Sequence, residues 1–205
     1  MTRRNTLTRI GALAGALLVL PLSAGAAAAV GQPAPDFALK DVKGANHALA
    51  ALKGKYVVLE WVNYECPFVK KHYGSGNMQK LQKAYTGKGV VWFSVNSSAT
   101  GKQGFFPTEK IDGLLRERDA SPSAYLLDTD GTVGRLYGAK TTPHMFVIDP
   151  SGKVIYAGGI DDKASTDQAD IATAKNHVQA ALDEALAGKP VSVATSQPYG
   201  CAVKY

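Results

Sequence analysis

Cysteine is scarce in this sequence, with two among 205 residues, Cys66 and Cys201. So sparse a set excludes a disulfide-dense scaffold and leaves room for at most one internal bridge. Histidine is scarce as well, with four. His47 and His177 read as surface residues. His72 and His144 beside a single cysteine are a weak basis for copper delivery, so no metal and no cofactor is expected. Lys and Arg number 23 against 17 acids, a formal charge of +6. Arg3, Arg4 and Arg9 make up part of that excess, and the remaining charges are dispersed, which gives no patch for nucleic acid. The chain shows no internal repeat and no interdomain linker. Its apolar run over 10–22 is too short and too poorly flanked for a membrane span.

That run follows the three arginines and precedes the small residues Ala24-Gly25-Ala26. A basic start, an apolar centre and a small-residue cleavage region predict a secretory signal peptide over 1–29. Thr2-Arg3-Arg4-Asn5-Thr6-Leu7 approaches a twin-arginine signal but lacks the bulky Phe, which leaves the export route open. No cysteine lies near the cleavage region, so no lipid tether and no stable membrane anchor is expected. The mature protein is then periplasmic or secreted. About 175 residues remain, enough for one domain with a single core. The expected division is a domain over 30–190 and a tail over 191–205.

Residues 56–62 hold Val57, Val58, Leu59, Trp61 and Val62 in near-continuous apolar order, the pattern of a strand covered on both faces. A second buried strand is expected over 90–95 and a short one over 124–127. Helical segments are expected over 67–85, broken at Gly74-Ser75-Gly76, then from a Thr108 cap to Arg118, and over 132–137 ending at Gly138. Asp149-Pro150-Ser151-Gly152 supplies turn chemistry for a hairpin of strands 144–148 and 153–157. A closing helix is expected over 168–187, with Ile171, Ala174, Val178, Ala181, Leu182, Ala185 and Leu186 on one stripe. Parallel strands in front and a hairpin behind predict an α/β protein, a mixed sheet flanked by helices on both faces. Trp61, Trp92, Phe93 and Phe146 are assigned to the core, and Asp161-Asp162 to a solvated turn.

Cys66 stands between the strand over 56–62 and a helix opened by Pro67. Proline suits the first helical position because it has no N–H to leave unpaired. A thiol at a helix start faces free amides and the positive end of the dipole, and both favour the reactive thiolate. Lys70, Lys71 and His72 add positive charge within two turns. Glu60 sits in the apolar strand, where desolvation raises a carboxyl pKa and suits it to taking or giving a proton. Cys201, in the turn-rich Gln197-Pro198-Tyr199-Gly200-Cys201, is the candidate resolving thiol. If the tail docks permanently the same bond is a staple, adding roughly 4–5 kcal/mol by loop entropy.

Three pieces of sequence carry a family resemblance. They are Val57-Val58-Leu59-Glu60-Trp61-Val62-Asn63-Tyr64-Glu65-Cys66-Pro67-Phe68-Val69, the pair Thr142-Pro143 before an apolar strand, and the hairpin with its following helix. Together they resemble the thioredoxin fold and, within it, the peroxiredoxin-like redoxins of the alkyl hydroperoxide reductase and thiol-specific antioxidant superfamily. The resemblance implies that Cys66 is the single thioredoxin-type cysteine and that Glu60 is the buried acid beneath it. It further implies that Pro143 is cis and that the Thr142 backbone pairs with an extended substrate. Val69 stands where the second cysteine of a Cys-X-X-Cys pair would be, and Lys70 where a copper-delivering protein has its own. Asn63 and Leu59 stand where peroxiredoxins have a hydroxyl residue and a proline.

The function expected is an exported thiol-disulfide oxidoreductase or antioxidant redoxin. Its partner would be a redox protein or a small thiol, with peroxide as a further substrate class. A thiol peroxidase is the alternative enzyme. A non-enzymatic exported protein with a structural Cys66–Cys201 bond is the alternative of a different class.

Overall fold

The computed structural model describes residues 27–205, so the expected signal peptide lies, through residue 26, outside the described residues. The strands are β1 (Ala38–Asp41), β2 (Asn46–Ala48), β3 (Val57–Trp61), β4 (Val91–Asn96), β5 (Ala124–Leu127), β6 (Thr141–Thr142), β7 (His144–Ile148), β8 (Val154–Gly158) and β9 (Cys201–Ala202). The α-helices are α1 (Pro67–Gly74), α2 (Asn77–Thr86), α3 (Thr108–Glu117), α4 (Thr132–Tyr137) and α5 (His177–Leu186).

Every residue of β3 is buried, as a central strand requires. It pairs in parallel with β4 and antiparallel with β7, and β4 pairs in parallel with β5. The seven-stranded sheet has the order β2-β1-β5-β4-β3-β7-β8, and β6 and β9 form a separate two-stranded ribbon. This is the mixed, thioredoxin-like α/β architecture that the resemblance implies.

Side chains alternate across a strand, and β3 divides accordingly. Val58 joins Val69, Tyr73, Met78, Leu81, Ile111, Val178 and Leu182 in a cluster under α1, α2, α3 and α5. Val57, Leu59 and Trp61 join Val133 and Tyr137 under α4 on the other face. Trp61, Trp92, Phe93 and Phe146 are all core residues, as expected.

Four expectations need correction. Pro107, not Thr108, holds the cap position of α3, and Thr108 is its first helical residue. The closing helix is shorter than 168–187. A 3₁₀ turn over Gln168–Ala172 precedes α5, and the Asn176 side chain accepts from the Gln179 amide to start the helix anew. Asp161 is not in a solvated turn but is buried, with 3% exposure. Lys71 and His72 do not extend a positive field to solvent, because both are buried. Burial, with Lys71 nearby, lowers the His72 pKa to about 4 and keeps its ring neutral near pH 7.

Candidate active site

The register of the sheet builds the site. Trp61 lies opposite His144 in the β3–β7 pair. The chain entering β7 therefore lies across from the chain leaving β3, and Thr142-Pro143 meets the segment that ends at Cys66. The Thr142–Pro143 peptide is cis. Cys66 is the N-cap residue of α1, with extended backbone angles and Pro67 at the helix start. Its side chain has no exposed surface.

The Cys66 thiol donates to the Thr142 carbonyl at 3.0 Å and lies 2.8 Å from the sulfur of Cys201. The Cys201 amide donates to the Cys66 sulfur at 3.4 Å. Both cysteines are free thiols. Burial raises the Cys66 pKa, but contact with the Cys201 thiol, the Val69 and Cys201 amides and Thr142 outweighs it, and the net direction is down. Cys201 moves the other way. Burial and the hydrogen bond to Cys66 push its pKa up to about 11. Of the pair, Cys66 is therefore the more acidic thiol and Cys201 the less acidic one.

The second cysteine arrives on an arm with no strong pattern of its own. Ala157 donates to the Ala194 carbonyl at 3.1 Å and Ser196 to the Ala157 carbonyl at 3.3 Å, which lays the arm beside β8. The Tyr199 hydroxyl then donates to Asp161, and its ring meets Phe68 edge-on at 5.8 Å. Next, β9 pairs antiparallel with β6, Cys201 opposite Thr142 and Ala202 opposite Thr141. Beyond it, Val203 donates to the Lys140 carbonyl and Ala99 to the Lys204 carbonyl, and the Tyr205 hydroxyl donates to that of Ala139.

Glu60 occupies a separate cage on the same face of the sheet. Its carboxylate accepts from Tyr73 at 2.8 Å, Trp92 at 2.9 Å, and Ser94 and Gln82 at 3.1 Å each. Burial raises its pKa against the lowering effect of these four donors. None of the described hydrogen bonds joins Glu60 to Cys66. Asn63, at the position of the peroxiredoxin hydroxyl, is committed to its own loop, accepting from Glu65 N–H at 2.8 Å and donating to the Gln103 carbonyl at 3.4 Å.

The structure thus brings Cys66, Cys201, Thr142 and Pro143 together and leaves Glu60 outside their hydrogen bonds. Sequence reasoning missed Tyr199, Asp161 and His72 as the anchor of the arm. The signal for them is thin: an aromatic residue two positions before the second cysteine.

The chain is similar to several known proteins. The thiol-disulfide oxidoreductase ResA of Geobacillus thermodenitrificans is 30% identical over 128 residues, 62% of this chain and 68% of that protein. An uncharacterized conserved protein from Geobacillus kaustophilus, known from its crystal structure, is 28% identical with a TM-score of 0.71, covering 92% of this chain and 98% of its own. A Chlorobium tepidum protein provisionally named thiol:disulfide interchange protein DsbE is 29% identical with a TM-score of 0.52, covering 64% and 85% respectively. The model of the AhpC/TSA family matches residues 30–157, which include the whole strand–cysteine–helix segment and the cis proline. The chain belongs to the AhpC/TSA family.

Proposed function

We propose that this protein is an exported thiol-disulfide oxidoreductase in which Cys66 attacks and Cys201 resolves. The observation that carries the reading is the 2.8 Å approach of the two sulfurs, set by the pairing of Cys201 with Thr142. The names of the ResA and DsbE relatives support the same class of reaction.

In the reducing direction, the Cys66 thiolate attacks one sulfur of a partner disulfide. A bond forms between Cys66 and that sulfur, and the other partner sulfur leaves as a thiolate that takes up a proton. Cys201, after losing its own proton, attacks the Cys66 sulfur, releases the partner's second thiol and leaves a Cys66–Cys201 disulfide. The lowered pKa of Cys66 supports its role as first nucleophile. The Thr142 backbone beside Pro143 would hold the substrate strand. Glu60, with its raised pKa, would take and return a proton on the sheet side.

The partner would be a redox protein or a small thiol in the periplasm or outside the cell. A peroxidase reading has less support. Asn63 offers no hydroxyl to a peroxide, and its side chain is committed to its own loop. The test is reduction of a protein disulfide by the reduced mature chain. Cys66→Ser should abolish turnover, while Cys201→Ser should stop at a mixed disulfide seen by mass spectrometry. Full activity in Cys66→Ser overturns the proposal.

A further inference from the structure

The arm lies where, on the proposal above, a partner's strand has to lie. β9 takes the edge of β6, with Cys201 opposite Thr142. The fit at this point is close. Gly200 has a φ of +140°, and a Cβ built on it would collide with the Thr142 carbonyl oxygen. A side chain there cannot coexist with the observed pairing.

Two residues before Cys201, Tyr199 enters a pocket built for a phenol. Its hydroxyl has a single hydrogen, which goes to Asp161. The His72 Nε2 nitrogen, 3.1 Å away, must then be the donor to the phenol oxygen. This leaves Nδ1 to accept from the Asn77 amide at 2.9 Å, which is the neutral tautomer. Lys71 stands 5.6 Å from the centre of the Tyr199 ring. The second Asp161 oxygen is buried without a hydrogen bond. Lys71 and His72 stand 3.8 and 4.0 Å from it, within ion-pair distance but beyond hydrogen-bond distance.

Aspartate, lysine and histidine are costly to bury, and a tail that only needed covering would be held by apolar contacts. The pocket instead offers one acceptor and one donor to one hydroxyl. A site of that kind rejects the ligand lacking the hydroxyl, because its own buried groups are left unpaired.

We infer that the groove filled by residues 199–203 is the docking site for a partner protein's extended segment, which presents its reactive cysteine at the Cys201 position and a tyrosine two residues before it. The arm is the resident copy of that segment and leaves when the partner docks. The inference rests on thiol-disulfide exchange at Cys66 and adds to it the sequence that the groove selects.

The experiment uses the full mature chain carrying Cys201→Ser, with and without Gly200→Ala to displace the arm. Three peptides, Gln-Pro-Tyr-Gly-Cys-Ala-Val and its Phe and Ala replacements at the tyrosine, are offered as 2-thiopyridyl disulfides. Attack by Cys66 joins it to the peptide sulfur and expels 2-thiopyridone, which is followed by absorbance. 2,2′-Dipyridyl disulfide serves as the small reference probe.

Relative to that probe, the tyrosine peptide should react about tenfold or more faster than the Phe and Ala peptides. Gly200→Ala should raise the peptide rate over the Gly200 parent. Where Gly200→Ala does not fold, Tyr199→Phe displaces the arm in its place. Equal rates for the three peptides, with normal reaction of the small probe, overturn the inference and leave exchange at Cys66 standing. A Cys66 inert to the small probe overturns both.

Discussion

Thr142 and Cys201 face one another across an antiparallel bridge, and the carbonyl of Thr142 accepts the Cys66 thiol at 3.0 Å. One residue therefore positions both sulfurs. The strand order produces this without a Cys-X-X-Cys turn. The second thiol is delivered by a segment 135 residues further along the chain, paired with Thr142.

Cys66 has its pKa lowered against its own burial by contacts that include the Cys201 thiol and amide. Cys201→Ser replaces a thiol donor by a shorter hydroxyl that reaches less far toward the sulfur. The Cys66 pKa should rise in this variant, and thiolate absorbance near neutral pH should fall at a given pH. A Cys66 pKa unchanged or lowered in Cys201→Ser would show that the thiol contributes nothing to the shift.

Oxidation should stabilise the fold. The two cysteines are 135 residues apart in sequence, so their bond removes much of the freedom of the unfolded chain. The loop-entropy model gives about 5 kcal/mol for such a span. The urea midpoint of the oxidised protein should exceed that of the reduced protein, and the difference should vanish in Cys201→Ser. Equal midpoints in the two redox states contradict this account.

Much of the fold is legible in local patterns. β3, β5 and β7 and the hairpin turn follow from apolar order and turn chemistry, which act within a few residues. Cys66 stands out because strand end, cysteine and proline are adjacent in sequence. The helical pattern runs longer than α5 because Ile171 and Ala174 keep a helical spacing while Asn176 caps a fresh start. Asp161 reads as a solvated turn residue because its partners, Tyr199, Lys71 and His72, are remote in sequence. The arm shows no periodicity. It is held by pairing to β6 and by single anchors such as Tyr199 and Tyr205, and contacts of that kind leave no repeat in the chain.

Glu60 is surrounded by four donors from α1, α2 and β4. A glutamine there would turn an NH₂ group toward residues that all donate, and at least one pair would be lost inside the core. Glu60→Gln should cost about 1–3 kcal/mol of stability, read from urea denaturation. If Glu60 also moves the proton of exchange, the variant's pH profile of disulfide reduction should lose its acid limb. A profile superimposable on the parent would confine Glu60 to holding the helices.

Stability should fall on acidification, and the sign follows from the buried histidines. His72 and His144 have folded pKa values lowered to about 4 by burial, helped by Lys71 for the first and Lys140 for the second. Unfolded histidine titrates near its ordinary value, about 6.5. Between these limits the unfolded chain binds protons that the folded chain refuses, so unfolding is favoured as pH drops. The contribution is fully present above 6.5 and is lost as pH falls toward 4, by up to about 3 kcal/mol for each histidine. Glu60 works in the opposite direction. Its raised pKa means that the folded state takes up its proton first, which adds stability below its folded value. Asp128, whose pKa burial also raises, acts with Glu60 against the two histidines, but both histidines are displaced as far as about 4, so the free energy of unfolding should decline between pH 6.5 and 4.5. His144→Asn, which removes one imidazole, should flatten that decline, and Glu60→Gln should steepen it. A free energy that stays level or rises on acidification, with the same slope in both variants, would mean that neither histidine is held neutral by the fold.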